Sequence, residues 1–470
     1  MTEPQVAKTA IPGLLVLRLP VHADSRGWFK ENWQRTKMTA LGLPDFGPVQ
    51  NNMSFNAARG VTRGINAEPW DKFVSVATGR MFAAWVDLRE GDSFGATVHL
   101  EFGPDVAVFV PSGVGNSYQA LENGTVFSYL NNGHFVPGRQ YQTLNLADET
   151  IAIPWPIPLD SDAVVISQKD RDHPRLTDIT PVQPKKRLIL GRSSQLGRAL
   201  AAVFPDADAV DRSELDITSE HAVAAWPWSD YAVVLNAGVG VDVDTAELPD
   251  GRRKAWAVNA SGVARLAAVA REHQLTLVHY SSGYVFDGTT EEHTEGETPS
   301  PLGVHGQSVA AGEVAVATVP RHYLLRTSWV IGDGENFVRS MKRLAESGID
   351  AEVVDDQIGR LTCTETLAAA TKHLLRSAEY GTYNCTNSGE PLSRHAIAAE
   401  IFEQSGRCSG DVRATSTEVY SAANNGVAPR PPRSVLVLDK LRAAGFQPEP
   451  QLDVLRRYVA DGGRATSSEA

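Results

Sequence analysis

From residue 187 onward, short apolar runs alternate with helical stretches, and that alternation leaves few folds open to the second half of the chain. RLILG (187–191) is an apolar run closed by glycine. SQLGRALAAVF follows and places Leu196, Leu200, Val203 and Phe204 on one helical face. YAVVLNAG (231–238) repeats the apolar run. AVNASGVARLAAVAREH (257–273) repeats the helix, with Val263, Leu266 and Ala270 turned inward. TLVHYSS and HYLLRTSWV (322–330) add two strands, while NFVRSMKRLAESG and TETLAAATKHLLRSAEYG are helices that stop at glycine. Strand and helix in alternation give a doubly wound parallel sheet with helices on both faces.

The first half has another texture. KFVSVATGRMFAAWVDLREG holds two apolar runs split at Gly79-Arg80, and VHLEFGPDVAVFVPSG and TVFSYLNNG follow, each closed by turn residues. Short strands at this spacing predict a sandwich or barrel. RDHPRLTDITPVQPKK (171–186) is charged and carries three prolines, which marks a boundary. The organisation expected is a β-domain over 1–175, a linker over 176–186, an α/β domain over 187–460 and a tail over 461–470.

A net charge of −12 argues against nucleic acid and anionic membranes as partners. Three scattered cysteines, no basic-then-apolar start and no apolar run near membrane length point to a reducing, cytoplasmic setting. His99 and His134 lack companions at metal-ligand spacing, so no metal is expected.

Ligands of α/β sheets bind beyond the carboxyl ends of strands. Ser281 and Ser282 end one such strand, and Gly191 to Gly197 form the turn after the first. Glycines there let a pyrophosphate approach a helix N-terminus. Taken alone, the pair reads equally well as an ordinary strand–helix turn.

The stretch LVHYSSGYVFDG, then PLGVHGQSVAAGE, resembles S-T-D-Y-V-F-D-G and Y-G-x-S-K-x-x-G-E of dTDP-4-dehydrorhamnose reductase, an extended short-chain dehydrogenase. DRSELDIT (211–218), VDVDTAE (241–247), Val258-Asn259, RTSWVIGDGENFVRSM (326–341), VVDDQIGRLT (353–362) and GTYNCTNSGEP (381–391) extend the resemblance over about 185–460. It implies a Rossmann-type fold that binds NADPH, or NADH, through Gly191, Ser194, Gln195, Leu196, Gly197, Asp216 and Ala237. It also places catalysis at Ser282, His305 and Val309. Gly283 stands where the pattern has Asp, His305 where it has the proton-donating Tyr, and Val309 where it has Lys. Ser194 replaces the middle glycine, and Val239-Gly240-Val241 lacks a family Tyr and Thr, so weakened cofactor binding is expected.

The first 170 residues resemble dTDP-4-dehydrorhamnose 3,5-epimerase, a cupin-type barrel. DSRGWFKE (24–31), VQNNMS (49–54), TRGIN (62–66), DKFVSVATG (71–79), WVDLREG (85–91), TVFSYL (125–130) and SQKD (167–170) carry the likeness. The resemblance implies a diphosphate held by Arg26 and Arg63, with Phe29, Glu31 and Gln50 also at the substrate. Lys72 then stabilises an enolate, Tyr129 acts as acid, and Asp170 orients the base. Residue 66 is the base position, but Asn66 has no basic nitrogen to offer. Asn116 stands where many members have a second His.

The combined resemblance implies a bifunctional epimerase and reductase of dTDP-L-rhamnose formation, with a dTDP-sugar as ligand and a homodimer left open. The alternative is a non-catalytic nucleotide-sugar-binding relic, because each site lacks an essential group.

Overall fold

A computed structural model describes residues 4–135, 138, 140–238, 242–377, 379–424 and 427–462. The substitutions at 239–241 and most of the expected tail lie outside the described residues. The chain divides into two compact units, Met1–Pro184 and Lys185–Ala470.

The first unit is two antiparallel sheets face to face. One runs in the order Gln5–Lys8, Leu15–Arg18, Val106–Val110, Lys72–Thr78, Thr125–Asn131, Gln50–Asn56. The other runs Gln142–Thr143, Thr62–Ala67, Val114–Ala120, Met81–Asp87, Thr97–Phe102. Alternation along these strands turns Val74, Val76, Trp85, Val108 and Phe127 into one shared core, as a half-open sandwich requires. The expected linker does not begin at 176. Leu176 is buried against Ile65, Val86 and Leu144, and the Val182 N–H donates to the Leu88 carbonyl at 2.7 Å. Apolar residues between the prolines draw this segment onto the outer face of the five-stranded sheet.

The second unit is a six-stranded parallel sheet ordered Asp208–Val210, Lys186–Leu190, Tyr231–Asn236, Thr276–Ser282, His322–Thr327, Gly381–Asn384. The strand order reverses between Lys186–Leu190 and its neighbour Tyr231–Asn236, which opens a crevice at their carboxyl ends. One core cluster lies on each face, around Leu188, Leu266 and Leu324 on one side and Ile189, Leu235 and Leu367 on the other. The expected helix over 257–273 is present from Val263 to Glu272, with Val263, Leu266 and Ala270 buried. It is preceded by a wider π-turn segment, Trp256–Gly262. No helix among the described residues is long and apolar enough to cross a membrane.

Candidate active sites

The barrel encloses a cavity of about 470 Å³ lined by Arg63, Asn66, Glu68, Lys72, Asn116, Tyr118, Tyr129 and Asp170, among others. Its two walls come from the two sheets. Asn66 and Asn116 sit opposite each other on neighbouring strands of the five-stranded sheet. Lys72 and Tyr129 belong to adjacent strands of the six-stranded sheet. Lys72 is 5% exposed, and its ammonium donates to the Glu68 carboxylate. Burial, with the Glu68 charge behind it, raises the Tyr129 pKa, so the phenol keeps its proton at neutral pH. The Asp170 carboxylate accepts from the Gly64 N–H at 3.3 Å and lies 3.8 Å from the buried His173 ring.

Six sequence-derived residues thus meet in this cavity: Asn66, Lys72, Asn116, Tyr129, Asp170 and Arg63, whose Nε donates to Asn56 at 3.3 Å. Four do not line it. Arg26 and Phe29 stand on the exposed hairpin of His22–Asp24 and Gly27–Phe29, where Arg26 pairs with Asp24 at 2.5 Å. Glu31 accepts from Lys37, and Gln50 donates to Asn52. Motif order located these residues, but the exposed hairpin holds Arg26 and Phe29 off the cavity, and Glu31 and Gln50 are engaged by Lys37 and Asn52 instead. Glu68 and Tyr118 escaped the sequence reading. Tyr118 donates to the Ser54 hydroxyl at 2.9 Å, and burial raises its pKa too.

In the second unit the first turn is closely packed. Gly191 has φ +84, and a Cβ there would come within 2.7 Å of the Gly238 Cα. A Cβ on Gly197 would meet the Gly191 carbonyl at 1.9 Å. Ser194 caps the helix Gln195–Val203, accepting from the Gly197 N–H at 2.9 Å and donating to the Ala237 carbonyl at 3.2 Å. Its hydroxyl is therefore committed to the fold where the resemblance wants no side chain. Gln195 donates to the Glu335 carbonyl, and Leu196 is partly buried beside it.

A cavity of about 260 Å³ beyond this turn is lined by Gly191, Ser194, Asp211, Arg212, Asp216 and Ala237. Asp216 is partly buried, but hydrogen bonds from Thr218 and Arg212 hold its pKa below the ordinary value. Asp211, unnoticed in the sequence, accepts from the Ser193 N–H and hydroxyl, both at 2.9 Å.

Ser194 also borders a cavity of about 420 Å³ that holds Ser282, Tyr284, His305, Val309, Trp329 and Arg394. Ser282 accepts from the Tyr284 N–H at 3.1 Å and caps the short turn after its strand. His305 and Val309 lie one turn apart on the helix Val304–Val316. Val309 is 4% exposed and packs with Val285, Phe286 and Leu436. The His305 ring meets the Tyr284 ring edge-on, centroids 6.4 Å apart. Arg394 donates to the Tyr284 hydroxyl at 3.3 Å and stacks 4.5 Å above Trp329.

The family model described as RmlD substrate binding domain matches residues 185–463. The chain belongs to that family. A second model, dTDP-4-dehydrorhamnose 3,5-epimerase, matches residues 8–178, so an epimerase-type barrel is fused ahead of the RmlD-type unit. Among curated relatives, the "Protein RmlC homolog" of Streptococcus pyogenes is 42% identical over 182 residues, 37% of this chain and 90% of that protein. The dTDP-4-dehydrorhamnose reductase of Aggregatibacter actinomycetemcomitans is 36% identical over 283 residues, 56% of this chain and 94% of that one. The solved dTDP-4-dehydrorhamnose reductase of Bacillus anthracis, in complex with NADP, is 31% identical with a TM-score of 0.54, over 59% of this chain and 100% of that chain. The expected pairing of a cupin-type barrel with a Rossmann-type sheet is thereby established for this RmlD-family chain.

Proposed function

We propose that the chain serves dTDP-L-rhamnose formation, its barrel holding a dTDP-4-keto-6-deoxy sugar and its second unit NADPH, with altered catalytic groups at both. What carries the reading is the barrel cavity, where Arg63, Lys72 and Tyr129 converge although Asn66 stands at the base position. Arg63 supplies a cation for the diphosphate. Lys72, buried in the cavity wall, faces charge developing on an enolate oxygen. Tyr129 keeps a proton to return to carbon. Bound beside Gly191 and Gly197, NADPH supplies a hydride. Asp211 and Asp216 line the cavity that would take its adenosine end, and Ser282 and Tyr284 the cavity that would take its reacting end.

The second reading, a unit that binds nucleotide without reducing the sugar, draws support from Val309. Its side chain is packed into an apolar cluster where the resemblance needs an ammonium.

The test is calorimetric titration of the full chain with dTDP. Arg63→Ala should weaken the barrel-site affinity by roughly tenfold or more, about 1.4 kcal/mol. An unchanged isotherm removes Arg63 from the site.

A further inference from the structure

We propose that Glu68 is the base of the barrel cavity, filling the role that Asn66 lacks the chemistry for. The inference rests on the reading of this cavity as a keto-sugar nucleotide site.

Three observations carry it. Asn66 belongs to the strand Thr62–Ala67 and Glu68 directly follows it, and both line the cavity. Ile65 and Ala67 between and before them are buried in the outer cluster with Val86 and Leu144, which leaves Asn66 and Glu68 toward the cavity. Second, the Glu68 carboxylate remains open to that cavity at 19% side-chain exposure, whereas its partner Lys72 is at 6%. The other carboxylate on the lining, Asp170, already accepts from the Gly64 N–H and lies 3.8 Å from the His173 ring. Third, Glu68 directly follows a strand of the five-stranded sheet, while Tyr129 stands on the six-stranded sheet. Acceptor and donor thus start from different sheets of the cavity wall, and inversion at carbon requires that the proton leave from one face and return to the other.

The step balances with these groups alone. The C–H bond beside the 4-keto group breaks, and its proton passes to a Glu68 carboxylate oxygen. The electron pair forms a C=C bond while the carbonyl π pair moves onto oxygen, giving an enolate beside the Lys72 ammonium. A new C–H bond then forms on the opposite face with the Tyr129 phenol proton, and the enolate returns to the ketone. Glu68 releases its proton to water, and the Tyr129 phenolate takes one from water.

The competing role for Glu68 is structural: a buried lysine needs a counter-charge. Deuterium entry from D2O into carbons 3 and 5 of dTDP-4-keto-6-deoxyglucose, followed by NMR on the full chain without NADPH, separates the two. The unmodified chain should exchange, and Glu68→Gln should slow exchange by roughly 10²–10⁴-fold with dTDP binding retained. Adding Asn66→His to Glu68→Gln should restore exchange, because Asp170 is in place to orient an imidazole and Lys72 still has to work. Exchange lost in Glu68→Gln and not restored by the double change would assign Glu68 to holding Lys72 and overturn the proposal. So would equal exchange in Glu68→Gln, or no exchange by an unmodified chain that binds dTDP. If Glu68→Gln does not fold, Glu68→Asp decides: it keeps the charge but retracts the carboxylate, and undiminished exchange overturns the proposal. Absence of any Arg63-dependent dTDP binding would instead remove the site reading itself.

Discussion

His279 is 1% exposed in the strand Thr276–Ser282, and its Nδ1 meets the Asn236 side-chain amide at 3.1 Å. Burial drives its pKa down to about 4. The folded ring is therefore neutral, while an unfolded histidine titrates near ~6.5. Between those values the unfolded chain binds the extra proton, so stability is full above about 6.5 and falls as the pH drops toward 4. The loss reaches roughly 3 kcal/mol at most. Urea midpoints of the second unit at pH 7 and pH 5 should differ, and His279→Gln should shrink that difference; an unchanged difference assigns the acid sensitivity elsewhere. Residues of this kind, and those of the barrel cavity, were unequally legible in the sequence. Arg63, Lys72, Tyr129 and Asp170 were legible because each falls inside an ordered run of motifs. Glu68 was not, because a glutamate after a strand ordinarily reads as a solvated charge. Only the cavity it lines and its hydrogen bond to Lys72 place it inside. Arg26 and Phe29 show the reverse, since matching motif letters do not say which way an exposed hairpin points, and Glu31 and Gln50 likewise matched a motif without reaching the cavity.

The helix Val304–Val316 sets the geometry of the second site, and it does so through glycines. A Cβ on Gly312 would come within 2.2 Å of the Asn259 carbonyl, and one on Gly306 within 2.1 Å of the Tyr284 carbonyl. The first contact seats the helix against the π-turn segment Trp256–Gly262, with the Asn259 amide donating to the Ser308 hydroxyl at 3.0 Å. The second holds the helix start beside Tyr284, which brings His305 to the cavity. Gly312→Ala should therefore cost about 1–3 kcal/mol, as overpacking against backbone does, and lower the Tm of the second unit. An unchanged Tm would mean that the helix shifts without penalty. Helical periodicity made the helices legible, and apolar runs with glycine stops made the parallel sheet legible. The π-turn was not, because one widened turn leaves the apolar spacing on either side nearly intact. The packing of Leu176 to Val182 on the barrel was hidden by the prolines around it.

At the scale of the whole chain, the two units bring different side chains to their cavities. The barrel cavity gathers Arg63, Lys72, Tyr129 and the Glu68 carboxylate. The second unit has its parallel sheet, its close turn at Gly191 and Gly197, and a cavity bordered by His305 and the packed Val309. Reduction of a ketone puts negative charge on oxygen, and losing a positioned acid costs roughly 10²–10⁴ in rate. Losing the ammonium that steadies the nicotinamide ribose degrades orientation as well. The hydroxyl of Ser194 is fixed between the Gly197 N–H and the Ala237 carbonyl. The chain should therefore fold with both cores intact yet oxidise NADPH barely above background when given dTDP-4-keto-6-deoxyglucose, read at ~340 nm, the absorbance band of reduced nicotinamide. His305→Tyr combined with Val309→Lys should raise that rate by more than the two single changes multiplied, because an ammonium at 309 acts partly by preparing the phenol at 305. Val309 borders the cavity as well as the apolar cluster, so a lysine stem has space to reach toward the ribose. Turnover by the unmodified chain at a rate that neither single change improves would make His305 the working acid, and the packed Val309 would then be a substitution that hydride transfer tolerates.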